Sequence, residues 1–315
     1  MRVLVTGIGG FVGPWLARAL AACGHEVHGF VRSAEERSAV AGLTTATHQG
    51  DVTDRDGVAR TLAAVAAEAV VHLAAVSFVP EAEADPDLAY RVNVGGTIAV
   101  LAAVRAAVPR ARVLHVGSSD AYGAVRREEL PVTEETPFRP LSVYGASKAA
   151  ADITAAQWAR SYGLDVVRAR PFNHTGPGQQ PTFVCAALAR QIAAIERGDQ
   201  EPVLRVGNAD PVRDFSDVRD IVAGYVALLD RGKGGEAYNL CAGEGVSIAE
   251  VIALLRTHAR VPLRVASDPA LKRAVEIERI VGSHARATAD TGWTPTIPLT
   301  ETLRIVLDDW RQRRA

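Results

Sequence analysis

A tyrosine and a lysine stand one helical turn apart in the segment Tyr144-Gly145-Ala146-Ser147-Lys148. On a helix their side chains would share one face. A free tyrosine ionises near pH ~10, and an adjacent ammonium group favours the phenolate because opposite charge stabilises it. The pair is suited to proton transfer, with Tyr144 donating to a carbonyl oxygen or the reverse.

A second polar group occurs in Gly117-Ser118-Ser119-Asp120, directly after the apolar run Arg112–Val116. Ligands of open α/β sheets bind outside the carboxyl ends of the strands, so Ser118 is placed to bond a substrate oxygen. Asp120 adds a carboxylate that would act as a base, accept from a hydroxyl of the ligand, or only cap the local turn. The sequence alone leaves these three roles open.

A glycine-rich loop, GIGGFVG at 7–13, follows the first apolar run and opens a helical pattern. Gly7 would permit the tight turn, Gly10 the approach of backbone amides to a pyrophosphate, and Gly13 close packing of helix on sheet. The helix N-terminus would then face an anion. This context predicts a dinucleotide-binding site.

The end of the second apolar run reads Gly29-Phe30-Val31-Arg32-Ser33 and contains no acidic residue to bond a ribose 2′-hydroxyl. Arg32 instead suits a 2′-phosphate. NADP(H) is therefore the preferred cofactor in this prediction, with NAD(H) also accommodated. Asp51 would accept from the adenine amino group or cap the next helix. The predicted contacts are Gly7, Gly10, Phe11, Val12, Gly13, Arg32, Asp51, Val52, Leu73, Ala74, Ala75, Tyr144 and Lys148.

Short apolar runs alternate with helical patterns through the first half of the chain. Continuously apolar strands separated by crossover helices predict a doubly wound parallel sheet of the Rossmann type. The chain of 315 residues is long enough for two lobes. We expect a dinucleotide-binding domain over residues 1–170. Residues 171–315 would form mainly a smaller α/β substrate lobe, with some strands and helices returning to the first domain.

Composition restricts the class of protein. The formal net charge of -1 argues against nucleic-acid binding through a basic field. We expect no run to approach the ~20 apolar residues that cross a bilayer. The start MRVLVTG predicts a strand rather than a signal peptide. Three widely spaced cysteines predict buried free thiols and no metal site, in a reducing cytoplasm.

The motifs together resemble the extended short-chain dehydrogenase/reductase family, of the epimerase/dehydratase type, which acts largely on nucleotide sugars. The resemblance covers the whole chain. It is carried by the following runs: GIGGFVG at 7–13, GDV at 50–52, HLAA at 72–75, GSSDAYG at 117–123, YGASK at 144–148 and RPFNH at 170–174. It implies a catalytic triad of Ser118, Tyr144 and Lys148, with Pro171 and Phe172 at the nicotinamide end.

Within the family, RARPFNHTGPGQ at 168–179 and RVGNADPVRDFSDVRD at 205–220 are most similar to reductases of GDP-4-keto-6-deoxy-mannose. The resemblance implies reduction of the C4 keto group of a GDP-4-keto-6-deoxy-hexose by NAD(P)H, giving a product such as GDP-D-rhamnose. It also implies nucleotide-sugar contacts from Asn173, Arg213, Arg273 and Glu276, in addition to Ser118.

The same resemblance leaves alternatives and predicts an assembly. A GDP-mannose 4,6-dehydratase would use a carboxylate base at Asp120, where that enzyme has the longer glutamate. A sugar-nucleotide 4-epimerase would keep its cofactor bound and show no net redox change. A non-enzymatic dinucleotide sensor is disfavoured because Tyr144 and Lys148 are both present. The family further implies a homodimer through a helix bundle that includes the Tyr144 helix.

Overall fold

The computed structural model describes residues 1–271 and 277–313. The strands are β1 (Arg2–Thr6), β2 (Glu26–Val31), β3 (Ala46–Gln49), β4 (Ala69–His72), β5 (Arg112–Val116), β6 (Val166–Pro171), β7 (Asn173–Thr175), β8 (Val203–Val206), β9 (Val212–Asp217), β10 (Ala237–Leu240), β11 (Gly245–Ser247) and β12 (Arg264–Ser267). The helices are α1 (Gly13–Ala22), α2 (Ala34–Ala39), α3 (Arg55–Val65), α4 (Val79–Ala84), α5 (Pro86–Tyr90), α6 (Gly96–Ala107), α7 (Val143–Tyr162), α8 (Val184–Arg197), α9 (Val218–Arg231), α10 (Ile248–His258), α11 (Ala285–Thr291) and α12 (Leu299–Gln312).

Seven of these strands form a parallel sheet in the order β10-β6-β5-β4-β1-β2-β3. The strand order reverses between β1 and β4, and in doubly wound sheets a ligand binds at such a reversal. The predicted Rossmann-type sheet is confirmed. The glycine loop follows β1 and therefore opens at the reversal.

Both faces of the sheet are covered by helices. One apolar core lies between the sheet and α1 with α9, and includes Leu16, Ile221 and Tyr225. A second core on the other face packs α3, α6 and α7 against the strands. Because both faces are covered, β1 and β4 are almost wholly buried.

A third core lies among α8, α10, α12 and β8, and includes Leu188, Leu255 and Leu303. Beside it are a three-stranded sheet in the order β11-β9-β7 and the parallel pair of β12 with β8. Strand β10 joins the main sheet and α9 packs on α1, so residues beyond 170 contribute to the dinucleotide side. The division at residue 170 remains a prediction.

Two expectations were wrong: that no run is long and apolar enough to cross a bilayer, and that all three cysteines are buried. The helical run Pro86–Ala107 is long and apolar enough to cross a membrane by length and composition alone, but 56% of its most apolar window is buried inside the protein, as in the core helix of a soluble protein. The three cysteines are free, but Cys23 is exposed while Cys185 and Cys241 are buried.

Candidate active site

The glycine loop has the tight geometry that its sequence predicts. Gly7 adopts φ +68°, and a Cβ there would lie 2.6 Å from backbone atoms of Ala74. A Cβ on Gly13 would lie 1.8 Å from the carbonyl oxygen of Ile8, so only glycine lets α1 begin so close to the loop. Helix α1 starts without a side-chain cap. Its first turn can therefore offer backbone amides to a pyrophosphate.

The loop forms one end of a cleft of about 600 Å³ that runs along the carboxyl ends of the parallel strands. All the predicted cofactor contacts line this cleft, as do the predicted catalytic residues. The predicted residues along it are Gly7, Gly10, Phe11, Val12, Gly13, Arg32, Asp51, Val52, Leu73, Ala74, Ala75, Ser118, Asp120, Tyr144, Lys148, Pro171, Asn173 and Arg213. Residues far apart in the sequence are thus brought into one continuous site.

The end of the cleft near β2 holds the charged side chains of Arg32, Glu36, Asp51 and Arg91. Arg32 projects into solvent, with its side chain 81% exposed, and Arg91 lines the wall beside it. Asp51 is held by the backbone N–H and the hydroxyl of Thr53, and these hydrogen bonds lower the pKa of its carboxyl. Helix α3 is capped by Asp54 instead, so Asp51 remains at the cleft.

Sequence reasoning missed Glu36 in this corner. No acidic residue ends β2, but α2 folds back and places the Glu36 carboxylate against Arg32. Ser33 caps α2 by accepting from the Glu36 N–H. The S-x-x-E pattern of Ser33 and Glu36 is the signal that could have shown where α2 begins.

The middle of the cleft contains the predicted catalytic trio. Ser142 caps α7 by accepting from the Gly145 N–H, which fixes the first turn on which Tyr144 lies. Ser118 follows β5 and lines the cleft with Tyr144, and its Oγ accepts from the Asp120 N–H at 3.1 Å. Burial raises the pKa of Tyr144, the Asp120 carboxylate raises it further, and the Ser118 side chain partly opposes them. Tyr144 is therefore a protonated phenol at neutral pH.

Lys148 lies one turn further along α7 and is buried, with 5% of the residue exposed. Its Nζ donates to the carbonyl oxygen of Val116 at 2.5 Å. Burial lowers the pKa of Lys148 to about 8, although Asp152 opposes the shift. We expected Lys148 to favour the Tyr144 phenolate, whereas burial and Asp120 dominate the pKa of this tyrosine.

A buried ion network lies beneath α7, and sequence reasoning did not find it. Asp152 accepts from Arg168 Nη1 at 2.6 Å, and from Arg170 Nε at 2.9 Å and Nη2 at 2.8 Å. Arg170 also donates to the Tyr122 hydroxyl, which donates to Asn239 at 2.7 Å. The network ties the catalytic helix to β6 and β10.

The far end of the cleft is built by β7 and β9. Asn173 begins β7 and Arg213 lies in the neighbouring strand, so both predicted substrate contacts face the same cleft. His174 donates to the Phe172 carbonyl at 2.9 Å if its Nδ1 is protonated, and its ring stacks near Phe11. Arg273 and Glu276 lie outside the described residues. Within residues 1–271 and 277–313, no cluster of three or more His, Cys, Asp or Glu is placed to hold a metal ion.

The chain is similar to known enzymes over nearly its whole length. The chain is 40% identical over 312 residues to a GDP-6-deoxy-D-mannose reductase of Pseudomonas aeruginosa, covering 99% of this chain and 98% of that protein. It is 28% identical over 358 residues to a GDP-mannose 4,6-dehydratase of Vibrio cholerae, covering 100% and 95%.

Solved structures of related enzymes also match the chain over its full length. The structure of RMD from Pseudomonas aeruginosa complexed with NADPH superposes with a TM-score of 0.88 at 37% identity, covering 100% of both chains. A UDP-glucose 4-epimerase of Thermus thermophilus complexed with NAD gives 0.86 at 31% identity, covering 99% of both. The family model described as GDP-mannose 4,6 dehydratase matches residues 4–306, and the chain belongs to that family of extended short-chain dehydrogenases/reductases.

Proposed function

We propose that this protein reduces the C4 keto group of a GDP-4-keto-6-deoxy-hexose, converting GDP-4-keto-6-deoxy-D-mannose to a GDP-6-deoxyhexose such as GDP-D-rhamnose. The observation that carries the proposal is the full-length similarity to the Pseudomonas aeruginosa reductase. The cleft supports it, because the residues required for hydride and proton transfer line one continuous channel.

Tyr144 is the proton donor in this proposal. Because its pKa is raised, the phenol carries its proton at neutral pH and can deliver it to the keto oxygen as hydride reaches C4. Ser118, which lines the cleft with Tyr144, donates a second hydrogen bond to the same oxygen and shares its developing charge. Lys148 holds the nicotinamide ribose hydroxyls. The bound reduced dinucleotide supplies the hydride.

NADP(H) is the preferred cofactor and NAD(H) is also accepted. The exposed Arg32 guanidinium supports the preference, since its fork of donors suits a phosphate. A structure similar to this chain is complexed with NADPH, and another is complexed with NAD. The glycine loop and Asp51, Val52, Leu73, Ala74, Ala75 and Pro171 supply the remaining contacts.

The substrate would be held by Ser118, Asn173 and Arg213, with Arg213 suited to the diphosphate. The proposed contacts of Arg273 and Glu276 rest on the sequence alone. Asp120 lines the cleft beside Tyr144, and it supports the second candidate, a GDP-mannose 4,6-dehydratase. That reaction requires a base at C5, and an aspartate carries its carboxylate one methylene short of glutamate.

The test is an absorbance trace at the reduced-nicotinamide band. Purified protein is mixed with GDP-4-keto-6-deoxy-D-mannose and excess NADPH, then with NADH. Steady loss of the band, faster with NADPH, is expected. No loss would overturn the reductase proposal. GDP-mannose with catalytic NADP⁺ would then be tested for the 4-keto product, with Asp120→Asn as the variant that abolishes it.

The assembly proposed is a homodimer through α6 and α7, which pack against each other. These helices carry exposed apolar side chains, Ile98 at 43% and Ile153 at 59%, that pairing would bury. Light scattering should give twice the chain mass, and Ile153→Asp should halve it. A monomeric wild type would refute the proposed homodimer.

We further propose that the protein is cytoplasmic, with neither nucleic acid nor membrane among its partners.

A further inference from the structure

The corner of the cleft at the end of β2 pairs a cation with an anion. Glu36 Oε2 accepts from the backbone N–H of Arg32 at 2.8 Å, and Oε1 accepts from Arg32 Nη2 at 3.1 Å. Both residues line the cleft. The side chain of Arg32 is 81% exposed, whereas that of Glu36 is 25% exposed. Glu36 is therefore the more buried member of the pair, and Arg32 is the one open to solvent.

The position of Glu36 is fixed by tight contacts. A Cβ added to Gly9 would lie 2.5 Å from the Glu36 Cβ, so the stem of Glu36 packs directly on the glycine loop. Ser33 Oγ accepts from the Glu36 N–H and anchors the same turn. The backbone and the first side-chain carbons of Glu36 are thus held against the glycine loop.

These contacts place an anion where the 2′ substituent of an adenosine ribose would approach Arg32. A 2′-phosphate must share Arg32 with Glu36 and lies near a like charge. A 2′-hydroxyl is a donor, and a carboxylate is the acceptor that suits it. The other charged groups at this end are Arg91 and Asp51, which offset each other.

We propose that Glu36 is a specificity-determining residue that reduces the preference for NADPH over NADH. It weakens the 2′-phosphate contact by holding Arg32, and it accepts from the 2′-hydroxyl of NADH. The inference rests on the dinucleotide-binding part of the proposed function and explains how one site accepts both cofactors. It does not depend on which sugar is reduced.

The test measures dissociation constants for NADPH and NADH by fluorescence titration, with no sugar nucleotide present. Glu36→Gln keeps the size and one acceptor but removes the charge. NADPH should bind about fivefold more tightly, as expected for one charge pair near a surface. NADH should bind more weakly. The gain for NADPH should shrink as salt rises, because exposed charges are screened.

Glu35→Gln is the matched control, since Glu35 is its exposed neighbour on α2. The control should leave the ratio of the two constants unchanged. Glu36→Lys is the second variant and should shift the ratio further toward NADPH. If Glu36 only stabilised the turn, both constants would rise together in Glu36→Gln, and that result would overturn the inference.

Different results would overturn the inference about Glu36 and the proposed reduction reaction. Wild-type protein that binds both dinucleotides, with a ratio unchanged in Glu36→Gln and Glu36→Lys, overturns the inference about Glu36 alone. Protein that shows the shifted ratio but does not oxidise NADPH with the keto sugar overturns the proposed reaction alone. Wild-type protein that binds neither dinucleotide overturns both.

Discussion

Replacing Asp152 with asparagine tests the buried network under the catalytic helix. The carboxylate is 2% exposed and lies between two guanidinium groups, Arg168 at 9% and Arg170 at 7%. Asparagine keeps the shape but leaves both cations without a counter-charge. Removing one partner of a buried ion pair costs about 3–5 kcal/mol, so Asp152→Asn should lose that much free energy of unfolding in urea.

Asp152→Asn should also change the pH dependence of catalysis, because Asp152 affects the pKa of Lys148. Asp152 opposes the effect of burial on the pKa of Lys148, which is about 8. Without that carboxylate the pKa falls further, and the ammonium is lost at lower pH. The alkaline fall in kcat/KM for keto-sugar reduction should therefore begin at lower pH in Asp152→Asn than in the wild type.

Asp199→Asn is the control, because Asp199 pairs with Arg197 at 2.8 Å on the surface, with 53% of the Asp199 side chain exposed. It should cost less than about 1 kcal/mol and leave the pH profile unchanged. If Asp152→Asn lost no more than the control, the two arginines would not depend on Asp152 for their burial. If kcat/KM fell at the same alkaline pH in Asp152→Asn as in the wild type, that result would separately refute the effect of Asp152 on the pKa of Lys148.

Three other predictions concern the cleft. Tyr144→Phe should lower kcat about 10²–10⁴-fold, since the proton donor is lost. Tyr162→Phe, at the exposed end of the same helix, should retain full activity. A fully active Tyr144→Phe would contradict the mechanism. Wild-type kcat/KM should fall as pH rises through about 8, because Lys148 then loses its proton, and a flat profile to pH 10 would contradict this. Gly13→Ala should lower the free energy of unfolding by about 1–3 kcal/mol in urea, since its Cβ meets the Ile8 carbonyl. Gly95→Ala, in a helical backbone with nothing within 4 Å of the added Cβ, should not lower it. Equal losses in the two variants would contradict the packing argument.

Features set by local spacing were predictable from the sequence. Strand β1 and the glycine loop were found because an apolar run, a turn and a helix follow each other directly. Tyr144 and Lys148 were found because one helical turn separates them.

Features set by distant partners were not predictable. Strand β6 is not apparent from the sequence because Arg168 and Arg170 interrupt its apolar pattern, and the Asp152 that neutralises them lies in α7. Glu36 was missed because its approach to the cleft depends on α2 packing on Gly9. The hydrogen bond from Lys148 to the Val116 carbonyl is likewise set by the tertiary fold.

The polar chain that leaves α7 has a consequence for exchanging parts between relatives. It passes from Asp152 through Arg170 and Tyr122 to Asn239, which is fully buried and also donates to the Val132 carbonyl. Asn239 thus belongs to the later part of the chain while its partners belong to the earlier part. A chimera that replaced residues 171–313 to obtain a new sugar specificity would have to carry an acceptor at position 239. Without it, the Tyr122 hydroxyl would be buried with a proton and no acceptor for it.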